Sequence, residues 1–246
     1  DASRTRSRMG GASGDSDDVR SDPWERQVVD DAVTIVVPTI HFRPDLLDRC
    51  VTEIKRTMRD GDELLVVEDG TFAENCNVGA GLATTPYVMF VNDDCKPDQN
   101  DWIDRLLDPF EDPSVGVVGC RLIYPDGRLQ HTGITFFTDA NGFLHGQNRQ
   151  QDAPSGPVSA VTAAAMAVRT SLFRDLNGFD EAYRNGNEDV DFCLRARMHG
   201  HTVWYQADCT IIHHESASGP ARWAHVADNV RLLNERWHVT DAPAAD

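Results

Sequence analysis

Apolar residues in this chain fall into short unbroken runs separated by stretches with helical spacing. Val33-Thr34-Ile35-Val36-Val37, ended by Pro38, is the first run; Leu64-Leu65-Val66-Val67 and Tyr87-Val88-Met89-Phe90-Val91 follow. Runs this short, with no polar alternation, predict strands buried on both faces, as in parallel sheets. Between the first two, Pro44 opens a helix whose apolar positions Leu46, Leu47, Cys50, Val51 and Ile54 recur at helical spacing until Gly61. A second helix, weakened by Gly79 and Gly81, is expected over 75–85 and is stopped by Pro86. A third is expected over 101–110, with Trp102, Ile103, Leu106 and Leu107 on its apolar side, before another buried strand at 115–119. Strands and helices thus alternate, which predicts an α/β domain built on a mostly parallel, doubly wound sheet flanked by helices.

The style changes after Cys120. Leu122-Ile123-Tyr124 followed by Pro125-Asp126-Gly127 signals a hairpin, and polar, Gly-, Gln- and Asn-rich 138–156 reads as a loop over the site. Residues 159–168 are small and apolar, a strand or a close-packed segment, and 171–176 make a short helix closed by Asn177-Gly178. Asn187 is placed to cap a helix carrying Val190, Cys193, Leu194 and Met198 on one face and stopping at Gly200. Thr202-Val203-Trp204-Tyr205 is a strand, and Ile211-Ile212 leads into His213-His214-Glu215. Residues 222–237 have the pattern of an amphipathic helix packing on the domain. Residues 1–31, rich in Ser, Asp, Arg and Gly, are expected to be a disordered arm from which Trp24 or Val28-Val29 can dock. The expected organisation is an arm at 1–31, one domain at 32–220 and a helical tail at 221–246.

Charge narrows the partners. Formal net charge is −17 over 246 residues, which argues against non-specific attraction to nucleic acid or to an anionic membrane. No apolar run approaches the ~20 residues of a membrane span, and 1–14 lack the apolar core of a signal peptide. Six cysteines without a CxxC pair fit reduced, mostly buried thiols, so a cytoplasmic protein is expected.

Three acidic tips follow predicted strands or open a predicted helix: Glu68-Asp69, Asn92-Asp93-Asp94 and Glu188-Asp189, with His213-His214 as a fourth polar cluster. Open α/β sheets place ligands at the carboxyl ends of their strands. Oxygen donors such as Asn92, Asp93 and Asp94 suit Mg²⁺ or Mn²⁺, which commonly arrive with a substrate phosphate. Taken one at a time, each cluster has a plainer account: an acidic turn, acids favouring a helix start, or a structural histidine pair.

Together, and in this order, these segments resemble the family 2 glycosyltransferases of the GT-A fold. Thr34-Ile35-Val36-Val37-Pro38-Thr39 resembles the family's opening strand, and Leu65-Val66-Val67-Glu68-Asp69-Gly70-Thr71 its nucleotide-recognising segment, with Glu68 in place of the first Asp. Asn77-Val78-Gly79 resembles its RNxG element, with Cys76 where Arg is usual. Asn92-Asp93-Asp94 occupies the DXD position in the NxD form of rhamnosyltransferase-like members. LIYPDGRLQHTG at 122–133, Gly178-Phe179-Asp180-Glu181, the segment from Asn187-Glu188-Asp189-Val190 through Arg195, and His213-His214-Glu215-Ser216 complete the series.

The resemblance covers roughly 33–220 and implies a nucleotide-sugar half at about 32–120 and an acceptor half, smaller and partly antiparallel, at about 121–220. It implies transfer of a sugar, with inversion, from a nucleotide-diphosphate donor to a hydroxyl on a glycan or other acceptor. Asp94 and His213 would ligate Mn²⁺ or Mg²⁺; Asp93 would lie against the ribose or diphosphate; Asp69 would accept a hydrogen bond from the donor base, beside Thr39, with Asn77 also on the donor side. The resemblance makes Asp189 the general base and has Glu188 hold acceptor hydroxyls. Trp102, Trp204 and Tyr205 can stack on sugar faces or fill the core, and His131 is open in the same way. The alternative is a non-catalytic nucleotide-sugar or glycan-binding module on a degenerate GT-A scaffold, which the departures at Glu68, Cys76 and Asn92 would fit. Retention of Asp94, Asp189 and His213 favours the enzyme.

Overall fold

The apolar runs become strands of one twisted sheet; those at 33–37 and 87–91 lie inside it, but the run at 64–67, expected to be buried on both faces, is an edge strand with Val66 43% exposed. The computed structural model describes residues 31–40, 43–215 and 224–237; the expected arm, apart from Asp31, and the last residues of the tail lie outside the described residues. In chain order the elements are β1 (Val33–Pro38), α1 (Pro44–Thr57), β2 (Glu63–Val67), α2 (Phe72–Leu82), β3 (Tyr87–Val91), β4 (Cys95–Pro97) and α3 (Trp102–Leu107), which a 3₁₀ turn extends. There follow β5 (Val115–Ile123), β6 (Leu129–His131), β7 (Ile134–Thr138), β8 (Leu144–Asn148), β9 (Gly156–Pro157), β10 (Ala165–Arg169), α4 (Thr170–Asp175), α5 (Glu188–Met198), β11 (Thr202–His213) and α6 (Val226–Arg236).

The main sheet runs β2-β1-β3-β10-β5-β11-β4. β2, β1, β3, β5 and β11 share one direction, while β10 inserts antiparallel between β3 and β5, and β4 lies antiparallel on β11. The sheet is therefore mostly parallel, and β7 and β8 form a separate antiparallel ribbon. Alternation along the buried strands feeds two cores. Val36, Val88, Phe90, Met166 and Val168 face a layer shared with α2, α4 and α5, where Phe90, Phe173, Phe179 and Phe192 meet at ring-centroid distances of 5.0–5.4 Å. Ile35, Val37, Met89, Val91, Ala165 and Ala167 face α1 and α3.

Local chemistry sets where the helices start. α2 begins at Phe72, three residues earlier than expected, because Thr71 and Glu74 form a capping box: Glu74 N–H donates to Thr71 Oγ1 at 3.3 Å and Thr71 N–H to Glu74 Oε2 at 2.7 Å. Gly79, which weakens this helix on propensity, is required by packing, since a Cβ there would stand 2.4 Å from Val36 Cγ1. Asn187 precedes α5 but does not cap it through its side chain; it sits in the left-handed region at φ 73°. Met198 is 60% exposed and leaves the inward face to Val190, Cys193 and Leu194.

Three further expectations change. Trp102 is fully buried between sheet and α3, with its indole N–H donating to Thr57 Oγ1 at 2.8 Å, so it is a core residue with no face to offer a sugar. The loop expected over 138–156 contains β8; its exposed polar side chains hide a ribbon that main-chain pairing with β7 holds. The strand expected at 202–205 continues through a bulge as far as His213. α6 docks through Leu233, which is fully buried; Trp223, placed in this helix from the sequence, lies outside the described residues. All six cysteines are free and buried. Among the described residues no helix is long and apolar enough to cross a membrane.

Candidate active site

The site is assembled where parallel strands end. Past β1, Thr39 N–H donates to Val67 O at the end of β2, and the Asn75 amide of α2 donates to both Thr39 O and Gly70 O, tying the two tips together. Thr39 Oγ1 donates to Asp93 Oδ2 at 2.6 Å, which joins the tip of β1 to that of β3. Asp69 stands exposed at the tip of β2 with φ 77°, a region that aspartate tolerates better than most side chains. An adjacent cleft of 470 Å³ is lined by Thr39, Phe72, Asn75, Asn92, Asp93, Arg184, Asn185 and His225, among others; Asp69 lies outside this lining.

Asp94 is turned inward and buried. The antiparallel pairing of β4 with the end of β11 sets His213 opposite Cys95, and His213 Nε2 comes to 3.1 Å from Asp94 Oδ1. His214 approaches Asp94 through its backbone, N–H to O at 3.1 Å. Burial raises the Asp94 carboxyl, but the hydrogen bond and charge of His213 outweigh it and hold the group below the usual carboxylate range. Asn92 Nδ2 lies 3.5 Å from His213 Nε2, while Asn92 Oδ1 is buried without a hydrogen-bond partner. A buried acceptor with no donor normally requires explanation. Here a divalent cation fits: the Asp94 carboxylate and the His213 imidazole converge, Asn92 lines the same cavity, and such oxygen and nitrogen donors suit Mn²⁺ or Mg²⁺. Cys95 Sγ also lies in this group, but it donates to Ala164 O, and burial pushes the thiol well up, away from the thiolate a metal prefers.

Across the cleft, three successive residues with positive φ, Asn185, Gly186 and Asn187, turn the chain sharply into α5. Gly186 N–H donates to Glu188 Oε2 at 2.6 Å, and Glu188 is buried. Asp189 Oδ2 accepts from Ala163 N–H at 3.0 Å and Oδ1 from Val190 N–H at 2.8 Å. Burial nevertheless prevails over these bonds and raises the Asp189 carboxyl above its ordinary value. A cavity of 130 Å³ brings Asp93, Asp94 and His213 together with Thr162, Glu188 and Asp189, and it meets the larger cleft at Phe72, Asn92, Asp93 and Asn185.

Asn77 is placed elsewhere. Its amide donates to Phe179 O and Glu181 Oε1 and accepts from Phe179 N–H, all at 2.9 Å, so it braces the turn after α4 and has no group left for a donor. His131 is buried beneath the site, its Nδ1 3.0 Å from Asn148 Oδ1; desolvation pushes it down to about 4, so it is neutral. Sequence reasoning passed over Arg184, Asn185 and His225 in the donor cleft and Thr162 beside Asp189. The run Arg184-Asn185-Gly186-Asn187 carried the only signal, a turn signature immediately before the acidic pair.

Residues 66–237 match the family model described as glycosyltransferase-like family 2. Over 156 residues the chain is 34% identical to the O-antigen biosynthesis protein RfbC of Myxococcus xanthus, covering 58% of this chain and 12% of that protein. Over 210 residues it is 28% identical to the pre-mycofactocin glycosyltransferase of Mycobacterium tuberculosis, covering 74% of this chain and 42% of that protein. The chain thus spans less than half the length of either relative. Among solved structures, GalNAc-T7 with UDP, GalNAc and Mn²⁺ superposes with a TM-score of 0.59 at 14% identity, over 74% of this chain and 43% of that one. At that identity the likeness shows the GT-A fold.

Proposed function

The chain belongs to the glycosyltransferase family 2, and from that premise we propose that its acidic cleft transfers a sugar from a nucleotide-diphosphate donor to an acceptor hydroxyl, with inversion at the anomeric carbon. The observation that carries this reading is the convergence of Asp93, Asp94 and His213 from one side, and Glu188 and Asp189 from the other, on one cavity that opens into a larger cleft.

The larger cleft takes the nucleotide. Asp69 receives the N3–H of a uracil or thymine ring, and Thr39 holds Asp93 turned toward the ribose and diphosphate. Asp94 and His213, with Asn92 beside them, would hold Mn²⁺ or Mg²⁺, which would supply Lewis-acid stabilisation of charge on the departing diphosphate. Arg184 lines the same cleft and adds positive charge toward that anion, with His225 also in the lining.

Asp189 acts on the acceptor. As the acceptor oxygen bonds to the anomeric carbon, its proton passes to Asp189, and the bond from that carbon to the diphosphate oxygen breaks with its electron pair leaving on the nucleotide. The raised proton affinity of Asp189 suits this step, because a general base works best when its pKa lies nearer the operating pH. Backbone N–H groups of Ala163 and Val190 fix both its oxygens. Glu188, anchored on Gly186 N–H, lies beside it to orient acceptor hydroxyls.

The test is release of free nucleoside diphosphate from a panel of UDP-, dTDP-, CDP- and GDP-sugars with a mixed acceptor set, with and without Mn²⁺. Metal-dependent release and a product of inverted anomeric configuration are expected. A preference for UDP or dTDP over CDP of about 1–3 kcal/mol is expected from the Asp69 contact, because cytosine N3 carries no hydrogen and would face the carboxylate with a lone pair. Tighter binding of CDP than of UDP or dTDP would overturn that placement, and donor binding without turnover on any acceptor would overturn the catalytic reading.

A further inference from the structure

Behind His213, on the side away from the cleft, lies a chain of hydrogen bonds that the transfer reaction does not use. His213 Nδ1 is 2.7 Å from Oε1 of Gln130, a buried residue of β6. The Gln130 Nε2 donates to His213 O at 3.4 Å and to Glu215 Oε2 at 3.3 Å, and the Tyr124 hydroxyl donates to the same Glu215 oxygen at 2.7 Å. Tyr124 and Gln130 come from the two arms of the β5–β6 hairpin, and Glu215 follows β11.

We propose that Gln130, backed by Glu215 and Tyr124, is a positioning residue that keeps a hydrogen on His213 Nδ1 and so leaves Nε2 to face the cation position as the ligating nitrogen. This rests on the divalent-cation reading of the site.

The donor and acceptor chemistry fixes the hydrogen on the Nδ1 side of the ring. A carboxylate and a peptide carbonyl only accept, so the Gln130 amide must turn its NH₂ toward Glu215 and His213 O. Its oxygen then faces Nδ1, and that nitrogen must carry the hydrogen. Amide orientation is normally an assignment, but here the two acceptors dictate it. With hydrogen on Nδ1, Nε2 is the ring nitrogen left to face the cavity, 3.1 Å from Asp94 Oδ1 and 3.5 Å from the Asn92 amide nitrogen. With the opposite tautomer, Nε2–H would point at Asp94 and fill the position; the Gln130 amide would then have to turn its oxygen onto Glu215. Tyr124 reinforces the chain by holding Glu215 in place.

Mn²⁺ alone, titrated by calorimetry without donor, is the probe, and ¹⁵N shifts of the imidazoles in metal-free protein report the tautomer. Gln130→Leu is expected to weaken Mn²⁺ binding by about 10–100-fold, the range usual for partners behind a ligating histidine. It should also move His213 toward the form protonated at Nε2. Glu215→Gln should weaken binding less and Tyr124→Phe least. The exchange Gln130→Glu with Glu215→Gln keeps the donor order, since the carboxylate accepts from Nδ1–H and from the new amide, and it should restore affinity relative to Glu215→Gln alone. Rescue by that exchange separates positioning from loss of bulk. Wild-type protein that binds Mn²⁺ while folded Gln130→Leu binds within twofold of it overturns this proposal alone. Wild-type protein that binds no Mn²⁺ overturns the cation reading and this proposal with it. Should Gln130→Leu fail to fold, wild-type affinity in both Glu215→Gln and Tyr124→Phe overturns the proposal, and graded loss supports it.

Discussion

Two acidic pairs face each other across this cleft, one after β3 and the other at the start of α5, and they are built in opposite ways. Asp94 is buried against an imidazole, which more than offsets its burial and favours the charged carboxylate. Asp189 is held by two backbone N–H groups, and burial wins, leaving a carboxylate that takes a proton more readily than usual. When environments drive two carboxyl groups apart in proton affinity, the groups are suited to different tasks. A group whose ionised form is favoured suits cation binding, and a more basic one suits proton acceptance. The adjacent acids divide in the same manner: Asp93 is tied to Thr39 on the donor side, and Glu188 to Gly186 on the other.

The largest test of this division is Asp189→Asn. It should lower kcat by about 10²–10⁴, the usual contribution of a positioned base, while leaving Mn²⁺ and donor affinity near wild type. A variant that retains turnover would end the assignment. Asp94→Ala should show the converse: calorimetry is expected to find donor binding that no longer responds to Mn²⁺. Should the variant keep the wild-type metal dependence, Asp94 is not a ligand.

A smaller effect is expected from behind α5. Buried Asp191 accepts from Arg195 Nε at 2.7 Å and from the Trp237 indole N–H at 2.9 Å, and Asn229 of α6 holds both the N–H and the carbonyl of Arg184. α6 thereby clamps the loop and the first turn that carry the base. Trp237→Phe removes one donor to a buried carboxylate and should lower stability by about 1–3 kcal/mol. If the clamp serves catalysis, kcat should fall while donor affinity holds; equal loss in both would mark α6 as a generic structural support.

The smallest effect is in stability against pH, measured on metal-free protein. The folded pKa of Asp94 lies below its unfolded value, so its contribution is present above the unfolded pKa and is lost as pH falls through the folded one. The folded pKa of Asp189 lies above its unfolded value, so its contribution is present below the unfolded pKa and is lost as pH rises through the folded one. From acid toward neutral pH, the melting advantage of wild type over Asp94→Asn should therefore grow, and that over Asp189→Asn should shrink. Slopes of the same sign would remove the contrast.

The half built on β1, β2 and β3 was largely legible in the sequence. All three are continuous apolar runs, β1 and β3 inside the sheet and β2 at its edge, so their ends fell where Thr39, Asp69 and Asn92-Asp93-Asp94 stand. The order of short motifs was equally local, and it led to the family. What the sequence could not determine was which polar atoms meet. Trp102 and Asn77 had plausible surface roles, yet one closes the core over Thr57 and the other braces the backbone of Phe179, 102 residues away along the chain. β8 escaped notice because a ribbon with an exposed polar face lacks alternation, and its pairing is with β7 rather than with the core. His213 meets Asp94 only because β11 runs twelve residues through a bulge and pairs with β4, while Gln130 reaches His213 only by the return of β6 along β5. The raised proton affinity of Asp189 likewise depends on what surrounds it, since a helix-start position by itself favours the ionised form. Hydrophobic periodicity is a property of neighbours along the chain and survives in the sequence; hydrogen-bond partners and desolvation belong to neighbours in space, and only the folded sheet brings those together.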